Sequence, residues 1–545
     1  MSEPVPDPLP RVARVRSLVF ADGAPVWRWQ AGLRAAAAVV IPGAAMVAAG
    51  QAHAALFVTF GAFAVLYGEG RPYRIRAQVV ATAGAALLLA VVIGALIGAA
   101  VPAGGTALKI GAVLLVAAPA VLAVYVVDAL RLGPPGALFF ALVGSGGLIA
   151  VESGASPGML VFAAACGAVS AVVVSMAGAT VDSSRPQREA VGRAIGAVNG
   201  LLAPDGPRSA EQRHAAGAAL LAAWTTLDDA RSASRPADAD LLIALREANR
   251  RFAADSDDSP DAEVDPTRQI TTSRLRPAVG HRLRRSLNRC SHATITATRV
   301  GIACVAAGAV SIALGFDRPH WAAIGALVVL QTGFDRVRGT VRALHRFLGT
   351  AVGLMLFAGL HALSPQGYAL IAVIGVLQFS IEMLIVRNYA AAVVVITPVA
   401  LMASGAGAVT GSAGPVMRDR LLETVVGVIV ALVVMYLLAP NAHRRTFAWT
   451  ERRVRDAALH LIDVATAMPV GAAEARAAAR DLHFELEGGV RAGIDSMHNE
   501  PAWTAERWPD RAALVHDGYD LASAFWTTPP ELPLGDTSSL RRRFE

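Results

Sequence analysis

The residues of this sequence with chemistry to offer are arginines and acids set at particular depths along apolar runs. Arg342 and Arg346 are four apart, so on a helix they share one face. Gly349 and Gly353 follow on the same helix, where a neighbouring helix or a ligand can come close. With Arg338, Thr350 and the positive end of the helix dipole, they describe a cationic mouth suited to collecting a carboxylate. The alternative is that these arginines are topology anchors touching lipid phosphate. Arg34 and Arg299 lie just inside the first apolar run of each half, where a charge either faces a bundle interior or snorkels to the interface. Asp128, Glu382 and Glu423 sit at or within run ends and are candidate proton carriers. Each also has an arginine close in sequence (Arg131, Arg387 and Arg420), so structural salt bridges are the competing reading. His53 and His320 fall at the outer ends of second runs, and His345 lies beside the arginine mouth; pH sensing and interfacial packing both fit them.

Other chemistries are excluded by residue type. Lys109 is the only lysine and sits between Leu108 and Ile110, so no phosphate loop of the Walker type can form and a Schiff-base lysine is disfavoured. Cys166, Cys290 and Cys304 make no CxxC pair, which argues against a zinc site or a disulfide framework. Asp481, His483 and Glu485 alternate along a helix and do not share a face, so a metal site there is disfavoured. No nucleophile elbow or dinucleotide fingerprint is present, so neither an enzyme nor a cofactor is expected. The formal net charge of +7 comes from arginines spread over short loops, which fits membrane topology better than nucleic acid. The N-terminus shows no cleavable signal peptide.

The elements that must position these residues are apolar helices. Hydrophobic residues make up 54% of the chain and charged residues 17%, against roughly a quarter in soluble proteins, and the mean hydropathy is +0.48. A span needs about 20 apolar residues. Candidate runs are 30–49, 52–67, 79–101, 108–130, 135–151 and 159–181, then 293–314, 321–332, 347–363, 368–386, 390–403 and 421–438. The second run of each half is short. The expected organisation is an N-terminal segment 1–29, a first membrane block 30–181, a polar helical domain 182–291, a second block 292–439, and a C-terminal helical domain 440–545. Periodicity predicts polar helices at 185–202, 209–230, 238–252, 271–292, 441–468, 472–497 and 510–527, a loop at 255–265, and a disordered tail through Arg543. Arginine clusters before the first run, after the second and fourth, and after the last place both termini and the polar domains in the cytoplasm of a multi-pass cell-membrane protein. Arg318, Arg418 and Arg420 fall on the outer side as exceptions.

The halves also match one another. Without gaps, Arg34, Gly50, Gly68, Arg71, Gly84 and Gly94 fall opposite Arg299, Gly315, Gly333, Arg336, Gly349 and Gly359; with a small shift, Asp128 falls opposite Glu382. Even run number and equal orientation predict a parallel internal repeat.

One stretch is more specific. Arg318-Pro319-His320-Trp321-Ala322 opens a short helix, arginines follow, and Arg346-Phe347-Leu348-Gly349-Thr350-Ala351-Val352-Gly353 continues the next. With Asn388-Tyr389 and Arg420 through Gly427, this resembles the FUSC family of fusaric acid resistance protein-like, aromatic acid exporters. The first half has Arg74 and Arg76 near the expected place but lacks the R-x-x-G-T pattern. The resemblance implies export of aromatic or other organic carboxylates, and through a related plant branch, anion conductance. The expected function is therefore an all-α, polytopic exporter of small organic anions, with proton exchange as the coupling to test. An anion channel and a non-transporting scaffold that binds a partner through its polar helices are the alternatives. The expected partners are the lipid bilayer and the anion, with no nucleic acid; a homodimer and a periplasmic or membrane efflux partner are both left open.

Overall fold

In lipid the backbone must satisfy its own hydrogen bonds, so long apolar runs fold as helices. A computed structural model describes residues 7–10, 28–101, 105–133, 135–203, 209–255, 278–333, 335–403 and 413–545. The first half holds α1 (Trp29–Ala48), α2 (Ala52–Gly68), α3 (Tyr73–Ala100), α4 (Thr106–Leu130), α5 (Leu138–Glu152) and α6 (Pro157–Thr180). The polar helices α7 (Arg185–Leu201), α8 (Ala210–Asp229), α9 (Ala239–Ala254) and α10 (Val279–Ser286) follow. The second half holds α11 (His292–Ala313), α12 (His320–Leu330), α13 (Arg336–Leu363), α14 (Gly367–Leu384), α15 (Tyr389–Ala403) and α16 (Ala413–Leu437). Polar helices α17 (Ala442–Ala467), α18 (Ala473–Asn499), α19 (Pro501–Thr527) and α20 (Ser538–Phe544) complete the chain. All regular structure among the described residues is helical, and the protein is a polytopic membrane protein.

Among the described residues, eight helices are long and apolar enough to cross a membrane, and four other apolar helices are shorter. The short ones are the second and fifth of each half, α2, α5, α12 and α15. The sequence showed the second as short in both halves. The long helices α3, α4, α6, α13 and α16 carry exposed Leu96, Leu122, Phe162, Met355 and Ile429 on their outer faces, the residues expected to meet lipid.

The same helix pairs meet in each half. The third helix packs on the fifth and sixth, the sixth also on the first and second, and the fourth on the fifth. Between halves, α4 lies against α11 and α14 against α1, so the fourth helix of each half covers the first of the other. Small residues allow the closest crossings. A Cβ on Gly61 would lie 1.8 Å from the Ala164 carbonyl oxygen, and one on Gly427 would lie 2.3 Å from that of Ala322, so α2 crosses α6 as α12 crosses α16. The matched Gly84 and Gly349 do not behave alike: Gly84 faces Ala168 of α6, whereas Gly349 faces Ala390 and Val393 of α15.

The two polar segments, read in sequence as separate domains, share one core built from α7, α8, α9 and α17 to α20, with Phe252, Tyr519, Phe525 and Trp526 at its centre. The tail expected to be disordered is ordered. Phe544 and Leu534 are buried in this core, the Leu534 N–H donates to the Ala465 carbonyl at 2.8 Å, and Arg543 reaches Asp517 at 3.1 Å. A burst of three arginines hid an apolar anchor immediately after it. The helix expected at 271–292 is observed as α10 alone, followed by turns at Leu287–Cys290; its first residues, most of the 255–265 loop and most of the N-terminal segment lie outside the described residues.

Candidate functional site

Hydropathy marks the lipid-embedded part of a helix, not its ends. Helix α13 begins at Arg336, well before the apolar run at 347, so Arg342 and Arg346 lie within a continuous helix. Asp335 caps it by accepting from the Arg338 N–H at 3.0 Å, and the same carboxylate holds His498 of α18 at 2.5 Å. The Arg336 N–H donates to the Asn499 side chain at 3.1 Å. The polar domain thus grips the first turn of the helix that carries the two arginines.

Both arginines face a cavity of about 410 Å³ enclosed between the halves. Helices α2 and α5 supply one wall, with Phe60, Phe63 and Phe139; helices α12 to α16 supply the other. Arg28, Glu69 and Glu382 stand at the end nearest the polar domain, and Trp321, Ile149 and Arg420 at the far end. Glu69 is 45% exposed whereas Trp321 is 5% exposed, so the space is open toward the polar domain and closed beyond. Four arginines against two glutamates leave the lining with an excess of positive charge.

The depth of the arginines is the informative feature. Arg342 donates from Nε to the Val328 carbonyl at 2.8 Å, and its guanidinium lies 4.1 Å from the centre of the Tyr389 ring. Arg346 lies one turn deeper and is buried, with Tyr389 as its polar neighbour and Nε unpartnered. Arg420 comes from the far side on α16, is 2% exposed, and has no partner for Nε or Nη1. Among the described residues, no carboxylate lies within 4.0 Å of any of these three groups. Gln331 and Gln378 add amide oxygens that have no partner.

The remaining sequence candidates lie elsewhere. Arg34 lies 3.9 Å from Glu69, behind the mouth. Arg299 is buried at the end of α16, where Nη2 donates to the Leu438 carbonyl at 2.7 Å and the Ala439 carbonyl at 3.1 Å. Arg338 is half exposed beside Asp335 at 3.3 Å. Gly349 packs on α15, and Thr350 is buried with an unpartnered hydroxyl. Arg338, Arg342, Arg346 and Thr350 follow one another at four-residue spacing, yet only Arg342 and Arg346 line the cavity: Arg338 stands in the exposed first turn beside Asp335, and Gly349 is turned onto α15.

The acids take partners other than their sequence neighbours. Glu382 lines the cavity and lies 3.4 Å from Arg28, not beside Arg387. Asp128 meets His292 at 3.3 Å and Arg491 at 3.8 Å. Its expected partner Arg131 ends α4 in a left-handed conformation, φ 51°, and leaves the helix to lie 3.7 Å over the Phe484 ring. Glu423 accepts from the Arg318 N–H at 2.9 Å, and its Oε2 is unpartnered. His53 is exposed on the far side. His320 is buried against Trp321, with ring centres 5.6 Å apart, and His345 lies 6.4 Å from Tyr389. Among the described residues, no cluster of metal-binding side chains occurs.

Residues 302–434 match the family described as fusaric acid resistance protein-like. The match falls within the second membrane block. That block supplies Trp321, Arg342, Arg346 and Arg420, all inside the matched region. The uncharacterized membrane protein YvaC of Bacillus subtilis (strain 168) is 29% identical over 280 residues, covering 50% of this chain and 42% of that protein, so the chain spans under half of that relative's length. No solved structure matches the chain. Sequence reasoning missed three site members within or beside the fusaric acid resistance-like region: Arg420, Trp321 and Arg28. Arg420 counts in the sequence only as an outer-side exception to the topology; its position seven residues into an apolar helix is the available signal.

Proposed function

We propose that this protein exports small organic anions, aromatic carboxylates in particular, through the cavity between its halves. The reading rests on one observation: three guanidinium groups on the apolar helices of the second half face a common space without a carboxylate partner. Charge held there is costly unless a ligand or a pathway uses it. Aromatic rings on the opposite wall suit a flat apolar body, and the volume is ordinary for a small-molecule site. Arg342 and Arg346 hold the carboxylate; Arg420 receives it further along. Arginine placement supports a cytoplasmic polar domain and cytoplasmic termini, and on that reading the open end is the loading end. The matching helix contacts support a duplication of the two halves.

Proton exchange is the coupling we infer, with Glu382 and Glu423 as carriers, because both lie next to the arginine row; Glu382 has Arg28 at 3.4 Å, and Glu423 accepts from the Arg318 backbone N–H. Asp128, held by His292 and Arg491, serves the junction with the polar domain. A second reading, an anion channel, is favoured by the same cationic lining. Flux of labelled benzoate-type acids in vesicles, with and without a pH gradient, tests both. Export should require protein, respond to the gradient, and vanish in Arg346→Ala. Gradient-independent flux would favour the channel, and no protein-dependent flux across a broad anion panel would reject transport.

A further inference from the structure

Trp321 closes the far end of the cavity, and its indole lies between two cations. The Arg420 guanidinium stands 4.7 Å from the ring centre and the Arg318 guanidinium 5.0 Å. The two belong to different spaces. Arg420 lines the large cavity, whereas Arg318 lines a separate recess of about 110 Å³ with Lys109, Glu152, Asp317 and His320. Ile149 borders both spaces, beside Trp321.

The charges on the two sides of the indole are unsatisfied in the same way. Nη1 of Arg318 is buried without a partner, as are Nε and Nη1 of Arg420. Glu423 is one helical turn from Arg420, but its carboxylate takes the Arg318 backbone N–H and leaves Oε2 unpartnered. Lys109, the other cation of the recess, is already engaged by Asp317 at 2.9 Å and the Phe316 carbonyl at 3.0 Å. Arg318 is therefore the recess cation with capacity for an anion.

We propose that Arg318 is a second anion-binding position on the far side of the protein, taking the same small carboxylates as the cavity, and that Trp321 is the barrier between the two positions. This rests on the transport reading above. A guanidinium held on a ring face makes a weak contact, while a guanidinium paired with a carboxylate makes a charge-assisted one. A carboxylate arriving at Arg420 draws that group off the indole, the ring loses one of its two clamps, and Arg318 is the next cation in line. Trp321 and Arg318 thereby set the direction and the tightness of passage without touching the loading end.

The test is passive flux of benzoate from loaded vesicles without a pH gradient, run beside wild type and Arg346→Ala. Trp321→Ala should leak about tenfold faster than wild type, and Trp321→Phe should stay near wild type. Arg318→Gln should weaken benzoate binding from the far side about tenfold while leaving binding from the polar-domain side unchanged. Trp321→Ala flux equal to wild type, where wild type is active and Arg346→Ala is not, would overturn the barrier; unchanged far-side binding in Arg318→Gln would overturn the second position. If wild type and Arg346→Ala are both silent, it is the transport reading that fails. Should Trp321→Ala not fold, Trp321→Leu can be combined with Ser145→Cys in a chain whose native cysteines are replaced. A membrane-impermeant thiol reagent added from the far side should label Cys at that position faster with Leu than with Trp, and equal labelling would refute the barrier.

Discussion

Two buried arginines of the second half should respond in opposite ways to the same substitution. Arg299→Met removes a group that donates to the Leu438 and Ala439 carbonyls at the end of α16, at 2.7 to 3.1 Å. Leaving such acceptors buried and unpaired costs about 1–3 kcal/mol each, so a loss of about 2–5 kcal/mol in stability is expected. Arg346→Met removes a cation with an unpartnered Nε and no carboxylate within 4.0 Å. Replacing a buried charge by an apolar side chain of similar volume is commonly neutral or stabilising. Its cost appears in binding: one lost charge-assisted contact to a carboxylate is worth about 1.5–3 kcal/mol, or about 10- to 150-fold in Kd. Thermal unfolding in detergent and calorimetric titration with an aromatic carboxylate measure the two effects on the same samples. Arg299→Met should lower the midpoint and bind normally once folded; Arg346→Met should keep or raise the midpoint and bind poorly. If Arg346→Met loses stability like Arg299→Met while its affinity is intact, the arginine is a scaffold residue and the assignment of the site is wrong.

Glu382→Gln removes one of the two mouth carboxylates and frees Arg28, 3.4 Å away; at about 1 kcal/mol, anion affinity at pH 7 should rise about fivefold, and an unchanged or weaker affinity would contradict the charge argument. Gly427→Ala should destabilise by several kcal/mol or prevent assembly, since its Cβ meets the Ala322 carbonyl oxygen at 2.3 Å, whereas Gly192→Ala on α7, with open space around it, should stabilise by about 0.4–1 kcal/mol; unfolding curves that fail to separate the two would refute the crossing geometry. Burial holds the His214 and His483 imidazoles down to about 4, so below pH 6.5 the unfolded chain takes up protons that the native domain does not. Stability should therefore fall as pH drops from about 6.5 toward 4, by up to about 3 kcal/mol per histidine. His483→Gln should flatten that fall, read from the fluorescence of Trp526, whose ring stacks 4.9 Å from it; an unchanged slope would refute the assignment.

Architecture was largely legible because lipid makes composition decisive. Twelve apolar runs became twelve apolar helices among the described residues. The arginine pair was legible too, since four-residue spacing on one helix fixes a shared face. What could not be read was contact across helices. Asp128, Glu382 and Glu423 each had an arginine within five positions, yet each found a partner from elsewhere, because side chains near a helix end follow the neighbouring helices that happen to cross there. The tail misled for a related reason: Arg541 to Arg543 dominate its composition, while a single phenylalanine decides its position. Glycine matches between the halves were weak evidence, whereas the crossing glycines Gly61 and Gly427 were overlooked because they are not in register.

Shared helix packing with unshared chemistry is what gives the protein one cationic row rather than two. In the ungapped register, Ala77 and Ala81 of α3 stand where α13 carries Arg342 and Arg346. The nearest arginine of the first half, Arg76, is buried but spent: its Nε donates to the Arg71 carbonyl at 3.1 Å, its Nη1 reaches the Ser175 carbonyl at 3.4 Å, and its guanidinium lies 4.4 Å from the Tyr73 ring. The first half gives the cavity phenylalanines in return. A symmetric pair of cationic walls would hold an anion from both sides and release it slowly. Under the proposed function, one cationic wall facing one aromatic wall would bind the two ends of an aromatic acid by different means and leave the carboxylate free to pass from Arg342 to Arg346 to Arg420. Restoring arginine at Ala81 should therefore tighten binding and slow flux together, a combination that an inert scaffold has no means to produce.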